Sequence, residues 1–355
     1  MSLAAATLMP NRPHILPRSA PPLAPARRGR GVMVRAPARL HMGFLDLDGG
    51  LGRRFGSLGF TLEHPGTLVT ASSAADLRVT GVAAERAQRY IVRAAEHLGV
   101  AATGHFHIAE TVPAHIGLGS GTQLALAVAR ALCWTAGRDT SDAELACATG
   151  RGLRSGIGIA GFGQGGFLVD GGNTGERVAP IVARLDIPES WSVLLLYDEV
   201  ATGLHGDAEI EAFRRLPPFT AARAERLCRA TLMQMLPALA DGDLDAFGSA
   251  VALVQNECGD HFAPAQGGRF ASPRISAALA WLEAAGVACR GQSSWGPTGF
   301  AVLPDAAAGT AMAAALRERF ATQGVRIEIT CGRNRGADVA PLATSSGAAR
   351  VVSAV

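Results

Sequence analysis

The chain has 355 residues and no lysine; all 33 of its basic residues are arginine. That excludes a Schiff-base lysine and a lysine acting as a phosphate point charge. Any bound anion must be held by guanidinium groups, helix ends or backbone N–H groups. Charged residues make up only 18 %, and the net charge of +3 is too small to argue for a nucleic-acid partner. Nowhere does the sequence approach the roughly eighteen consecutive apolar residues of a membrane helix, so no membrane association is expected. The six cysteines (Cys133, Cys147, Cys228, Cys258, Cys289, Cys331) lack CxxC spacing. This argues against a zinc site or a disulfide framework, and for a reducing, cytoplasmic setting.

What is present suits a globular chain: hydrophobic residues reach 48 % over a length fit for one large or two medium domains. Residues 1–31 are rich in Pro, Ala and Arg without any period, and read as a disordered tail or a start codon set too early. Strands are predicted at 32–40, 68–70, 77–80, 104–110, 166–170, 192–197, 300–303 and 325–330. Helices are predicted at 85–98, 120–136, from Ser141 to near Gly150, and at 206–215, 221–239, 244–257, 275–285 and 306–323. Ser141 and Glu144 have capping-box spacing. Strands in pairs and helices in runs predict an α+β fold. Its two halves, 32–187 and 188–355, meet near residues 186–191.

The segment Pro113-Ala-His-Ile-Gly-Leu-Gly-Ser-Gly-Thr-Gln123 leads into the helix at 120–136. Gly117, Gly119 and Gly121 allow a tight turn and close backbone approach to a ligand. The helix behind them offers free N–H groups and a partial positive charge, which suit phosphate or pyrophosphate. The pattern is neither Gly-x-Gly-x-x-Gly nor a P-loop. A plain strand-to-helix turn is the structural alternative.

The spacing P-x-x-x-G-L-G-S resembles the phosphate loop of the GHMP kinases, which include the galacto-, homoserine and mevalonate kinases. The segments 39–47 and 291–299 fall where that superfamily has its first and third motifs. The resemblance implies an N-terminal domain with a left-handed βαβ unit, a ferredoxin-like C-terminal domain, and a ligand between them. Two departures from a kinase stand out. Where kinases commonly carry Ser-Gly-Ile-Asp, with the Asp as base, this chain reads Ser155-Gly156-Ile157-Gly158. Gly121 also replaces a serine that typically binds magnesium.

Six ordered segments carry a closer resemblance: 39–47, 53–59, 117–124, 150–158, 165–172 and 291–298. Together they resemble the β-ribofuranosylaminobenzene 5′-phosphate synthases. Those enzymes act in tetrahydromethanopterin biosynthesis. They join phosphoribosyl pyrophosphate (PRPP) to 4-aminobenzoate, or to 4-hydroxybenzoate in some members, with release of CO2 and pyrophosphate. The resemblance implies magnesium as cofactor and a homodimer. An ATP-dependent small-molecule kinase and a non-catalytic metabolite-binding protein are the competing readings.

Candidate residues follow. Gly117, Leu118, Gly119, Ser120, Gly121, Thr122 and Gln123 form the anion cradle. Arg39, Arg151 and Arg154 are candidates to clamp carboxylate or phosphate. His41 shares a strand face with Arg39 and is a candidate to protonate a leaving oxygen or to hydrogen-bond the amine. Ser155, Ser293 and Ser294 suit phosphate or sugar contacts, and Trp295 suits stacking on an aromatic acid or packing of the domain interface. Asp46, Ser120 and Thr122 are the magnesium candidates, with a turn-capping role as the alternative for Asp46.

Overall fold

The computed structural model describes residues 31–175, 177–200 and 216–342. Two long strands form its spine. β1 (Gly31–Asp46) and β2 (Gly56–Ser72) pair antiparallel along most of their length. The sequence predicts only residues 68–70 of β2, because Gly59, Pro65 and Gly66 read as breaks. The sheet absorbs them in a bulge: Pro37 pairs with Gly66 and Ala38 with Leu62, so residues 63–65 loop out of register.

Beyond β2 come β3 (Leu77–Gly81), α1 (Ala84–Leu98) and β4 (Gly104–Glu110). β3 and β4 are adjacent and parallel, with α1 as their crossover, and β4 pairs with β2. α2 (Ser120–Thr135), α3 (Asp142–Ala148) and α4 (Ile157–Gly163) follow, then β5 (Phe167–Asp170) and β6 (Ile181–Leu185). Ser141 caps α3, accepting from the Glu144 N–H at 3.2 Å as its spacing predicts. α4 was not legible among its glycines; it forms because its apolar face is buried, and Gln123 ties it to α2.

The second sheet is built from β7 (Ser192–Asp198), β8 (Arg290–Gln292), β9 (Gly299–Leu303) and β10 (Val325–Cys331), all antiparallel in the order β10-β7-β9-β8. Counted within this half, that is the order 4-1-3-2 of a ferredoxin-like sheet. Between β7 and β8 run α5 (Ala221–Ala230), a π turn (Thr231–Met235), α6 (Leu236–Asp241), α7 (Leu244–Gln266) and α8 (Pro273–Ala284). The π turn precedes Pro237, which has no N–H to complete the regular ladder. α7 continues nine residues past the predicted end at Glu257, because Phe262 is buried and Gly259 admits the Arg269 side chain against it. α9 (Ala306–Phe320) leads into β10. The helix predicted at 206–215 and the tail at 1–30 lie outside the described residues.

The chain does not divide cleanly at residue 188. β11 (Asp338–Pro341) returns to the first sheet and pairs with β1. Arg333, only 2 % exposed, bonds Glu63 at 2.7 Å and Asp338 at 2.9 Å, fixing that return. Apolar residues of β1 also serve two cores. Val32, Val34 and Ala36 pack with α1 and α2, whereas Ala38, Leu40 and Met42 pack with α7 and the second sheet.

Candidate functional site

β1 passes directly beneath the glycine loop. The Arg39 N–H donates to the Leu118 carbonyl at 3.2 Å, and its guanidinium donates to the Gly117 carbonyl. The Arg39 side chain lies over Gly119, where an added Cβ would come within 3.3 Å. Arg151 lies over Gly121 in the same way, at 3.2 Å, and stacks on the Tyr90 ring with its guanidinium carbon 5.0 Å from the centroid. Two guanidinium groups thus flank the first turn of α2. Its N-cap is Gly119, at φ 84°, and no side chain caps it. An uncapped 16-residue helix between two arginines is a strong anion site without any lysine.

Gly117 is required on steric grounds. It has φ 86°, and a Cβ would stand 2.2 Å from the Ser293 carbonyl oxygen. Ser293 is fully buried: its hydroxyl donates to the Gly117 carbonyl at 2.8 Å and accepts from the backbone N–H of His41 at 3.0 Å. Ser294 donates its own N–H to the His41 carbonyl. The loop at 291–299 therefore holds β1 and the phosphate loop together.

Other candidates have contacts within the chain. Leu118 is a core residue whose side chain is turned away from solvent. Gln123 is fully buried and donates to the Gly158 carbonyl at 2.8 Å, so it clamps α2 to α4. Asp46 accepts from the N–H groups of Asp48 and Gly49 at 2.8 and 3.1 Å. It caps its own turn, and among the described residues no group of three His, Cys, Asp or Glu could hold a metal. Ser120 and Thr122 remain at the cradle as hydroxyl donors, with Thr122 beside Gly158.

Asp170 is a residue the sequence reading missed, although it lies within the quoted segment 165–172. Its carboxylate accepts from the Ser57 hydroxyl at 2.6 Å, from Ser155 at 3.2 Å, and from the N–H groups of Ser57, Gly156 and Gly172. Burial raises its pKa, while these hydrogen bonds oppose the shift. Ser155 is thus held in a buried network that shapes the start of α4, close to Thr122 and the cradle.

His41 is 3 % exposed, and neither ring nitrogen has a hydrogen-bond partner. Its pKa is lowered to about 3, first by burial and then by the charges of Arg39 and Arg154. The ring is therefore neutral near pH 7. It does not carry the imidazolium proton expected of an acid toward a leaving oxygen, because desolvation and two cations oppose it. The charge of Arg154 acts on the same ring as that of Arg39.

Beside His41 a narrow cleft opens between α7 and the 291–299 loop. Phe44, Phe262 and Trp295 line it, with Gln255, Cys258 and Arg269. Of the three rings, only Trp295 was singled out from sequence; Gln255 reads there either as a cleft residue or as part of a helix-end hydrogen-bond network. Phe262 was missed because the predicted helix stops short of it. α7 reaches β1 because Gly43 has no side chain: at φ 146°, a Cβ there would stand 2.5 Å from Val254 Cγ1. Cys258 donates its thiol to the Phe44 carbonyl at 3.2 Å and accepts the Phe44 N–H at 3.3 Å, and burial pushes this thiol up to about 12. It is a structural thiol, not a nucleophile.

Comparisons with known proteins agree with this architecture. The family model described as GHMP kinases N terminal domain matches residues 84–166, and GHMP kinases C terminal matches residues 235–322. A β-ribofuranosylphenol 5′-phosphate synthase of Methanothermobacter thermautotrophicus is 34 % identical over 329 residues, covering 86 % of this chain and 98 % of that protein. One from Archaeoglobus fulgidus is 33 % identical, covering 87 % and 99 %. Among solved structures, homoserine kinase from Cytophaga hutchinsonii superposes with TM-score 0.64 at 17 % identity, covering 88 % of this chain and 98 % of that one. Mevalonate diphosphate decarboxylase from Staphylococcus aureus gives 0.60 at 16 %, covering 88 % and 98 %. At such identities the two structures speak for the fold alone.

Proposed function

The chain belongs to the β-ribofuranosylphenol 5′-phosphate synthase family, on a GHMP-kinase fold, and from that premise we propose that it is a decarboxylating pentosyltransferase. It joins PRPP to a para-substituted benzoate and releases CO2 and pyrophosphate, as a step of tetrahydromethanopterin biosynthesis. The relatives are named for a phenol product, so 4-hydroxybenzoate is the first acid to test and 4-aminobenzoate the second.

The observation that carries this reading is the uncapped start of α2, flanked by Arg39 and Arg151, with glycine rather than an acid at position 158. As the anomeric carbon–oxygen bond breaks, negative charge grows on the departing pyrophosphate. N–H groups and guanidinium groups already aimed at that charge lower the barrier without reorganising. The ring carbon bearing the carboxylate attacks, and loss of CO2 restores aromaticity. The para hydroxyl or amine supplies the electron density, so no strong base is needed and Gly158 is compatible with the chemistry.

Magnesium belongs to the same proposal. The cradle offers the hydroxyls of Ser120 and Thr122 rather than a carboxylate cage, which fits an ion arriving on the pyrophosphate of PRPP. Such an ion screens phosphate charge. Arg151 and Arg154 are assigned to phosphate. A homodimer in a reducing cytoplasm completes the reading, the latter in keeping with six free cysteines.

Incubating the protein with PRPP, magnesium and either acid tests the proposal. Stoichiometric CO2 and pyrophosphate are expected. Folded protein that releases neither, or that instead transfers phosphate from ATP to a small alcohol, would overturn it.

A further inference from the structure

The anion chemistry leaves the aromatic cleft unused. Its walls are ring faces: Phe262 and Trp295 have centroids 4.6 Å apart, Phe44 and Phe262 6.1 Å, and the His41 ring lies 4.7 Å from Phe44. The centre of a water molecule has a cavity volume of about 30 Å³ inside it, so the cleft is wider than that figure by a water's radius at each wall. Arg269, half exposed and held by both carboxylate oxygens of Asp260 at 2.7 and 3.0 Å, stands at the lining. The imidazole of His41, buried with both nitrogens unpaired, is a costly arrangement in a free protein. It calls for a polar ligand inside the cleft.

We propose that this cleft is the subsite for the aromatic acid, the ring lying against Phe44, Phe262 and Trp295 and the carboxylate accepting an N–H from His41. The identity of the ligand rests on the transfer reaction proposed above; the existence of a planar-anion subsite does not.

Two arguments orient the ligand the same way. The first is charge. The guanidinium groups of Arg39 and Arg154 act on the His41 ring, whereas the rest of the cleft is aromatic. The anionic end of a benzoate therefore faces His41. The second is connectivity. The backbone N–H of His41 donates to the Ser293 hydroxyl, which donates to the Gly117 carbonyl, so the His41 end of the cleft adjoins the cradle. The reacting ring carbon bears the carboxylate, so it must face the cradle where the pyrophosphate departs.

A neutral imidazole suits this task. A direct guanidinium pair would stabilise the bound carboxylate strongly and oppose its loss, whereas a single neutral N–H orients it at less cost to the barrier. The electron count closes. A ring π pair forms the bond to the anomeric carbon, whose bond to oxygen breaks with its pair leaving on pyrophosphate. The bond to the carboxylate then breaks, its pair returns to the ring, and CO2 departs with no net proton transfer.

Steady-state kinetics of the full chain with 4-hydroxybenzoate and PRPP test the subsite. His41→Phe is expected to raise KM for the acid about tenfold, the loss of one hydrogen bond. Phe262→Leu, which keeps an apolar side chain but no ring, is expected to raise it about fivefold through lost ring contact. KM for PRPP should stay within about twofold in both, a split that general loss of structure would not give. Titration with 4-hydroxybenzoate alone should change tryptophan fluorescence in the wild type and not in Trp295→Phe. Phenol, which lacks the carboxylate, should bind wild type and His41→Phe alike. An unchanged KM for the acid in both variants, or equal losses for phenol, overturns the subsite while leaving the transferase reading intact. Saturable benzoate binding without any CO2 release supports the subsite and overturns the transferase reading.

Discussion

At the scale of single residues, His41 shows how a fold can hold a titratable group in one protonation state. Its folded pKa of about 3 lies below the 6.5 of an unfolded histidine. The unfolded chain therefore binds a proton first as pH falls. The stabilisation is fully present above pH 6.5 and is lost as pH falls toward about 3. Urea unfolding of the wild type and His41→Phe at pH 7 and pH 5 should show the wild type losing more stability on acidification, by up to about 1.4 kcal/mol per pH unit. Equal losses would mean His41 is protonated in the fold. Gly117 is a second residue-scale constraint. Gly117→Ala places a Cβ 2.2 Å from a backbone carbonyl at a positive φ. KM for PRPP should rise by roughly tenfold or more as the cradle is displaced. Arg154→Ala and Arg39→Ala should each lower kcat/KM by roughly ten- to a hundredfold. If neither changes the Michaelis constant of either substrate, the two arginines do not clamp the ligands.

At the scale of elements, the informative pair is α2 and α4. The kinases that this chain resembles commonly carry an acid at the start of α4; here Gly158 faces Thr122, and a Cβ would lie 3.3 Å from Thr122 Cγ2. That distance is tight but can relax, so Gly158→Asp should fold with a loss of about 1–2 kcal/mol. The new carboxylate would stand beside the anion cradle and repel phosphate. Transferase activity should fall by roughly tenfold or more, with no ATP-dependent phosphorylation gained. A gain of kinase activity would show that the residue at 158 alone separates the two chemistries. α2 was legible in the sequence because its apolar run and glycine entrance are local signals. α4 was not, because a glycine-dense stretch becomes helical only when neighbouring elements bury it. Elements whose ends depend on packing were also missed, as with α7 beyond Glu257.

At the scale of the whole molecule, the return of β11 to β1 couples the chain's end to its beginning. Arg333 is the centre of that closure, buried between Glu63 and Asp338 and also donating to the carbonyls of Arg335 and Gly336. Glu63 and Asp338 keep water and Arg335 as partners, so the main loss in Arg333→Met is the donor to the Arg335 and Gly336 carbonyls. Arg333→Met should cost about 1–3 kcal/mol, read as a lower urea midpoint at nearly unchanged slope. An unchanged midpoint would show that β11 adds nothing to the cooperative fold. Arg333 gives no sequence signal, since it is one arginine among 33 and both of its acidic partners are chosen by the fold.

The glycine loop, the helix behind it, the missing lysine and the glycine at 158 were all readable from the chain, because each is a local pattern with a local physical meaning. Those patterns suit an anion at a helix N-terminus and argue against a kinase. Tertiary structure decided what each candidate touches. It buries Leu118 and gives Gln123, Ser293 and Asp46 hydrogen bonds within the chain. It also brought Phe44, Phe262 and Trp295 around a neutral His41. Residues 44, 262 and 295 share no sequence period. Only the docking of α7 across Gly43 makes them one surface.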